Sequence, residues 1–345
     1  MKRAARFLTA ALVCSALLWS TAGTGSAQTA HVGQVATFTG VGNILHMISD
    51  LKRAMSFYNG PLGLKIQRQP RGPAEDPYAY IKLLPIIGPM YLMSDDAFYR
   101  SAEIFLSGPA TRLEMEDFKG QAAKAVHPRL VDPGATMIIL WVKDVDAILK
   151  SVTQAGGEIV SAGKKPVTMK VEGGSQKVLF VRDPDGFLIE FIQPDPLPPA
   201  AAAAGQNAFN TGLGVSVNDL DATANFYREK FGFDVKETAE FVNDPPFLAA
   251  SGLRGVKVRR ASTTVPGTAF PIELMEFTGE RKAINPEIHD PGATMLRVTI
   301  SDLPGVVKNL RGAGVQINST TGEPTNNQMV VRGPDGLYFQ LTNAR

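Results

Sequence analysis

Three ionisable residues interrupt stretches that are otherwise apolar: Glu190 within residues 187–192, Glu273 within residues 271–275, and Arg297 within residues 295–298. A carboxyl group on an apolar strand is costly to bury, and burial lifts its pKa towards the range where it can act as a general base or acid. Arg297 could clamp a carboxylate or phenolate through its planar fork. Tyr91 or Tyr338 could donate to a developing oxyanion. Such residues suit proton transfer on a small oxygenated or aromatic molecule. The plainer reading of Arg297 with Glu273 is an ion pair that only holds structure.

Other chemistries are thinly supplied. The four histidines, His31, His46, His127 and His289, are scattered along the chain, and Cys14 is its one cysteine. Cys14 lies in an apolar run from Phe7 to Trp19 that follows Lys2, Arg3 and Arg6 and precedes the small residues Gly25-Ser26-Ala27. Residues 1–27 therefore read as a signal peptide, since the run is shorter than the roughly 20 residues needed to span a bilayer. The expected location is exported, periplasmic or secreted, with no membrane contact after cleavage. The mature chain then holds no thiol for nucleophilic catalysis, metal ligation or a disulfide. Removing the leader leaves 32 basic residues against 33 acidic ones. That balance gives no reason to expect nucleic acid as a partner. A small-molecule ligand and a monomer or homodimer are expected.

The elements that must position these residues come in duplicate. Asp-Pro-Gly-Ala-Thr-Met occurs at 132–137 and again at 290–295. Ser49-Asp50-Leu51, Phe57-Tyr58 and Leu62-Gly63 return 169 positions later as Asn218-Asp219-Leu220, Phe226-Tyr227 and Phe231-Gly232. A repeat of this length is a whole domain. Each copy reads as two βαβββ units, with helices capped by Asp50, Asp144, Asp219 and Asp302. The expected domains are 38–195 and 209–345, joined by a Pro- and Ala-rich linker over 196–208. Copy one also carries additional residues within 95–131, read as a lid or a surface helix.

A short strand, Asp-Leu, a helix ending Phe-Tyr, then Leu-Gly, closed by Asp183-Pro184-Asp185-Gly186 and a strand carrying Glu190, resembles the vicinal oxygen chelate superfamily: the glyoxalase, bleomycin-resistance and extradiol-dioxygenase group. The resemblance covers nearly all of residues 40–345. It implies an α+β fold of tandem βαβββ units, forming curled, cup-like mixed sheets with helices outside. It also implies a divalent metal held by His or Gln on a first strand and Glu on a last strand. Seven residues before each capping Asp, where the family's His commonly sits, stand Asn43, Met137, Gly212 and Met295. The closing-strand positions read Tyr91, Glu190, Glu273 and Gln340, with Tyr91 taken from an alignment of residues 89–93 with 271–275. None of the eight is histidine.

No cofactor is therefore expected. A divalent metal, if bound, would take Glu190 and Glu273 together with His46 turned inward by a bulge. Without a bulge, His46 faces the helix as a core residue. If cups form within each copy, Glu190 and Glu273 lie apart; if they form between copies, the two share one cup. Alternation along the strands places Asn43, Met137, Trp141, Met295, Tyr338 and Gln340 on inward faces as substrate-binding candidates beside Tyr91. Glu190, Glu273 and Arg297 are the catalytic candidates. The favoured function is a metal-independent isomerase or lyase using carboxylate acid–base chemistry. The alternative is a non-catalytic binding or sequestering protein of the bleomycin-resistance type, and a metal-dependent glyoxalase or dioxygenase comes third.

Overall fold

The computed structural model describes residues 37–344 apart from 108–110, 320–322 and 325–326. The signal peptide expected over 1–27, and His31, lie outside the described residues. Each expected aspartate starts its helix: Asp50, Asp144, Asp219 and Asp302 accept hydrogen bonds from Arg53 N, Ala147 N, Ala222 N and Gly305 N. Each bond satisfies a backbone N–H that the first helical turn leaves unpaired. The helices that follow are Leu51–Asn59, Val145–Gln154, Leu220–Phe231 and Leu303–Gly312.

The strands form two nine-stranded mixed sheets. Thr37–Met47 runs antiparallel to Thr294–Ser301 at the centre of the first, and Thr136–Val142 antiparallel to Ala208–Ser216 at the centre of the second. Parallel neighbours flank each pair: Thr111–Lys119 and Tyr338–Asn343 in the first sheet, Leu188–Asp195 and Pro271–Phe277 in the second. The first βαβββ unit thus joins the fourth, and the second joins the third. Each cup draws on both copies.

The duplicated hexapeptide makes this exchange possible. Gly134 N donates to Ser216 O and Gly292 N to Met47 O, both at 2.8 Å. The side chain of Asp132 accepts from Lys282 N and that of Asp290 from Lys124 N, so each preceding loop straps the other copy's turn. Thr136 Oγ1 donates to Thr294 Oγ1 at 2.8 Å where the two sheets meet. Gly134 and Gly292 hold φ of +92° and +100°, a region that side chains other than glycine's rarely enter.

The convex faces and four helices share one core, in which Ile44, Ile138, Leu213 and Leu296 meet Tyr58, Ile148, Tyr227 and Leu310. Each concave face carries its own cluster, around Leu45, Met47, Tyr91 and Met295 in the first sheet and Met137, Phe180, Phe247 and Met275 in the second. The linker contains a short helix, Pro199–Ala203, with Ala201 buried.

Two expectations are corrected. Residues 95–131 form neither lid nor surface helix: they hold the sheet strands Phe98–Ser107 and Thr111–Lys119. Tyr91 does not lie on a closing strand, because Ile87–Tyr91 is a helix and Thr111–Lys119 takes the place parallel to Thr37–Met47. Five charged residues in the TRLEMEDFK run gave that central strand the look of a solvated segment.

Candidate active site

The first cup collects its polar residues from both copies. Asn43 pairs in register with Arg112, Leu45 with Glu114 and Met47 with Glu116, so alternation turns all six towards the concave face. Arg297 and Gln340 pair in the same way from the fourth unit. The Glu114 carboxylate accepts from Arg68 Nη2 and Asn43 Nδ2, both at 2.9 Å, and from Arg297 Nη1 at 3.2 Å. Arg297 Nε donates to Gln340 Oε1 at 2.8 Å. One guanidinium therefore bridges the closing strands of the first and fourth units. The arginine stem crosses Gly42, where a Cβ would stand 3.3 Å from Cγ and Cδ of Arg297.

Glu116 lies deeper in the cup, 3% exposed. Burial pushes its pKa up to about 8, and repulsion from Glu114 adds to the rise against the pull of Arg297, a hydrogen bond with Tyr91, and Arg68. Its Oε2 is buried with no hydrogen-bond partner. A carboxyl group of this kind exchanges a proton near neutral pH, next to a cation able to receive negative charge. The Tyr91 hydroxyl is held well above its ordinary pKa, chiefly by burial and then by Glu116, so it remains a donor.

The second cup brings Glu190 and Glu273 together. Burial raises the pKa of Glu190 first, and repulsion from Glu273 adds to it; burial raises Glu273 as well, and Arg260 pulls both down. Arg260 is already paired with Asp244 at 3.0 Å and sits 4.1 Å from the centre of the Phe247 ring. Phe247 and Leu248, from the helix Pro245–Ala250, pack with Met137, Met275 and Phe277 into the apolar filling of this cup, with Trp141 against it. A cleft of about 440 Å³ opens at its rim beside Leu248, Leu253 and Arg254, and neither carboxylate lines it.

The expected residues are thus divided between two sites. Arg297 does not meet Glu273; its carboxylate partner is Glu114. Asn43, Tyr91, Met295, Tyr338 and Gln340 lie in the first cup, and Met137, Trp141, Glu190 and Glu273 in the second. Tyr338 donates to Pro286 O at 3.0 Å under the guanidinium of Arg332. His46 is fully buried on the helix side, its Nε2 3.3 Å from Asp183 Oδ2 and its ring against Phe187. It cannot join Glu190 and Glu273. Glu114, Glu116, Arg68 and Glu103 were not singled out by sequence. Leu113-Glu114-Met115 matches Ile272-Glu273-Leu274 at an offset of 159, the signal that would have found Glu114 and the strand that carries Glu116.

The donor set does not fit a divalent metal in either cup. In the first, the positions are Asn43, Glu114, Met295 and Gln340, and the oxygens of Glu114 and Gln340 already receive the Arg297 guanidinium. A dication there would confront a fixed cation. In the second, Met137 and Gly212 leave two carboxylates alone, short of the three or four ligands a tight site requires. Among the described residues no group of three or more His, Cys, Asp or Glu could hold a metal ion.

The model of the Glyoxalase/Bleomycin resistance protein/Dioxygenase superfamily matches residues 40–191 and 211–341. Lactoylglutathione lyase of Arabidopsis thaliana is 22% identical over 237 residues, 68% of each chain. The crystal structure of glyoxalase I from Zea mays superposes with a TM-score of 0.52 at 16% identity, covering 88% of this chain and 92% of that one. A putative dioxygenase from Bacillus subtilis gives a TM-score of 0.52 at 12% identity, covering 89% and 86%. These structural likenesses are of fold.

Proposed function

The chain belongs to the Glyoxalase/Bleomycin resistance protein/Dioxygenase superfamily, and from that premise we infer that its first cup carries out proton transfer on a small oxygenated molecule, as an isomerase or lyase. The observation that carries the reading is Glu116, buried with an unpartnered oxygen beside the bridging guanidinium of Arg297. Glu116 takes a proton from the carbon next to a carbonyl, and the electron pair of that C–H bond moves onto the carbonyl oxygen. The free edge of the Arg297 guanidinium and the hydroxyl of Tyr91 receive the charge. Glu116 then returns the proton to the neighbouring carbon, or the substrate expels a leaving group. Export follows from the leader-like residues 1–27 and belongs to the same proposal.

The test is wash-in of solvent deuterium into a set of hydroxy ketones, 2-oxo acids and lactoylglutathione, followed by NMR for wild type and Glu116→Gln. Exchange lost in the variant while its fold survives supports the reading. Equal exchange in both proteins overturns it. The runner-up is a sequestering protein, favoured by the fact that Arg297 is already engaged by Glu114 and Gln340; it predicts tight binding with every compound recovered unexchanged.

A further inference from the structure

Seven buried side-chain polar atoms among the described residues lack a hydrogen-bond partner: Asn43 Oδ1, His46 Nδ1, Glu103 Oε2, Arg112 Nε, Glu116 Oε2, His289 Nδ1 and Thr342 Oγ1. Five belong to the first cup. Asn43, Arg112 and Glu116 face it from the two parallel strands, Glu103 pairs in register with Glu114, and Thr342 shares the face of Tyr338 and Gln340. Folded proteins leave few such atoms, and a cluster of them marks a place where something else supplies the bonds.

The types of these atoms specify the occupant. Glu103 Oε2 faces Arg112 Nη1 at 3.4 Å. Asn43 Oδ1 and Glu116 Oε2 are oxygens facing one cup, and Asn43 has committed its Nδ2 to Glu114. They call for hydroxyl groups, which donate to a carboxylate or amide oxygen and can equally accept from a protonated carboxyl. Arg112 Nε is a donor and calls for an acceptor. The cup also holds more positive than negative charge. Arg68, Arg112 and Arg297 pair with Glu103 and Glu114, and Arg71 reaches the Tyr99 hydroxyl. Four guanidiniums thus meet three carboxyl groups, Glu116 included, leaving at least one positive charge uncompensated. Arg112 is the most open of the paired arginines, with its side chain 34% exposed. The anion therefore belongs at the mouth. From Arg112 to Glu116 the strand covers roughly 13 Å, more than a three-carbon acid spans.

We propose that the first cup binds a small polyhydroxylated carboxylic acid of the sugar-acid class, with its carboxylate on Arg112 and its hydroxyls on Asn43 and Thr342, its far end extending towards Arg297 and Glu116. The inference deepens the proton-transfer reading by naming a substrate class for the same cup.

The test is calorimetric titration of the purified protein with gluconate, with hexanoate as an acid lacking hydroxyls and with glucose as hydroxyls lacking charge. Gluconate should bind at one per chain at least tenfold more tightly than either control. Arg112→Gln should lose at least tenfold in gluconate affinity with an unchanged melting temperature, and Asn43→Leu should narrow the difference between gluconate and hexanoate. Equal binding of gluconate and hexanoate, or no binding of gluconate, overturns the proposal. Binding without deuterium exchange leaves this inference standing and removes the proton-transfer reading. Exchange into another compound, with gluconate unbound, does the reverse.

Discussion

Arg297 and Glu114 lie 183 positions apart in the chain, yet Arg297 Nη1 donates to the Glu114 carboxylate at 3.2 Å inside the first cup. The pair exists because the fourth unit closes against the first. Replacing Arg297 with Ala removes the donor facing the developing oxyanion, and the expected loss is about 10²–10³ in kcat. It also frees Gln340 Oε1 and one side of Glu114. The variant should therefore bind Mn²⁺ more tightly than wild type, detectable as a loss of the free-ion paramagnetic resonance signal on adding protein; an equal free-ion signal with both proteins would count against the bridging role.

Glu116 sets the pH dependence. Its pKa is pushed up to about 8, and a general base works only in its ionised form. Turnover should therefore rise with pH and level off above about 8. Glu116→Gln should cost about 10²–10⁴ in rate and flatten what remains of the profile; a bell centred on pH 5 would rule Glu116 out as the base.

In the second cup, the raised pKa of Glu190 is a statement about stability. A carboxyl group whose folded pKa exceeds its unfolded value of about 4.3 favours folding below that value, and the contribution is lost as pH rises through the folded pKa. Burial and the neighbouring Glu273 cause the rise. Glu190→Gln should therefore raise the melting temperature at pH 8, by roughly 2–4 °C for each kcal/mol relieved, and leave it unchanged at pH 4. Calorimetry at the two pH values decides; a lower melting temperature at pH 8 would show that Glu190 is paired.

The two hexapeptide turns should respond alike to one change. A Cβ at Gly134 would stand 2.7 Å from Ile284 O, and a Cβ at Gly292 would stand 2.6 Å from Val126 O, both at positive φ. Gly134→Ala and Gly292→Ala should each destabilise by more than about 1 kcal/mol, measured by urea unfolding. A neutral result at either position would separate the two turns.

The duplication, the four helix caps and the alternation of the strands were legible in the sequence because they depend on neighbours a few residues apart. An Asp before a helix and a glycine at positive φ act locally, wherever the unit sits. The inward faces of Asn43, Met137, Glu190 and Gln340 followed from period-two alternation, and so did the helix-facing side of His46. The strand carrying Glu114 and Glu116 did not, because the pattern TRLEMEDFK matches a polar edge until its partners are known. Tyr91 was misplaced for the same reason, since five residues of apolar sequence suit a short helix and a strand equally.

The sequence by itself determined that four βαβββ units would form, and that Glu190, Glu273 and Arg297 would sit on strand faces turned away from the helices. Only the tertiary structure decided which units join. That choice gave Arg297 to Glu114 and Gln340, left Glu190 facing Glu273, and concentrated the unpaired polar atoms in one cup. The physical reason is range: caps, turns and alternation are fixed by bonds within a few residues, whereas the environment of a buried charge is set by strands distant in the chain, as far as 183 positions for Arg297 and Glu114, that carry no mark of their partner.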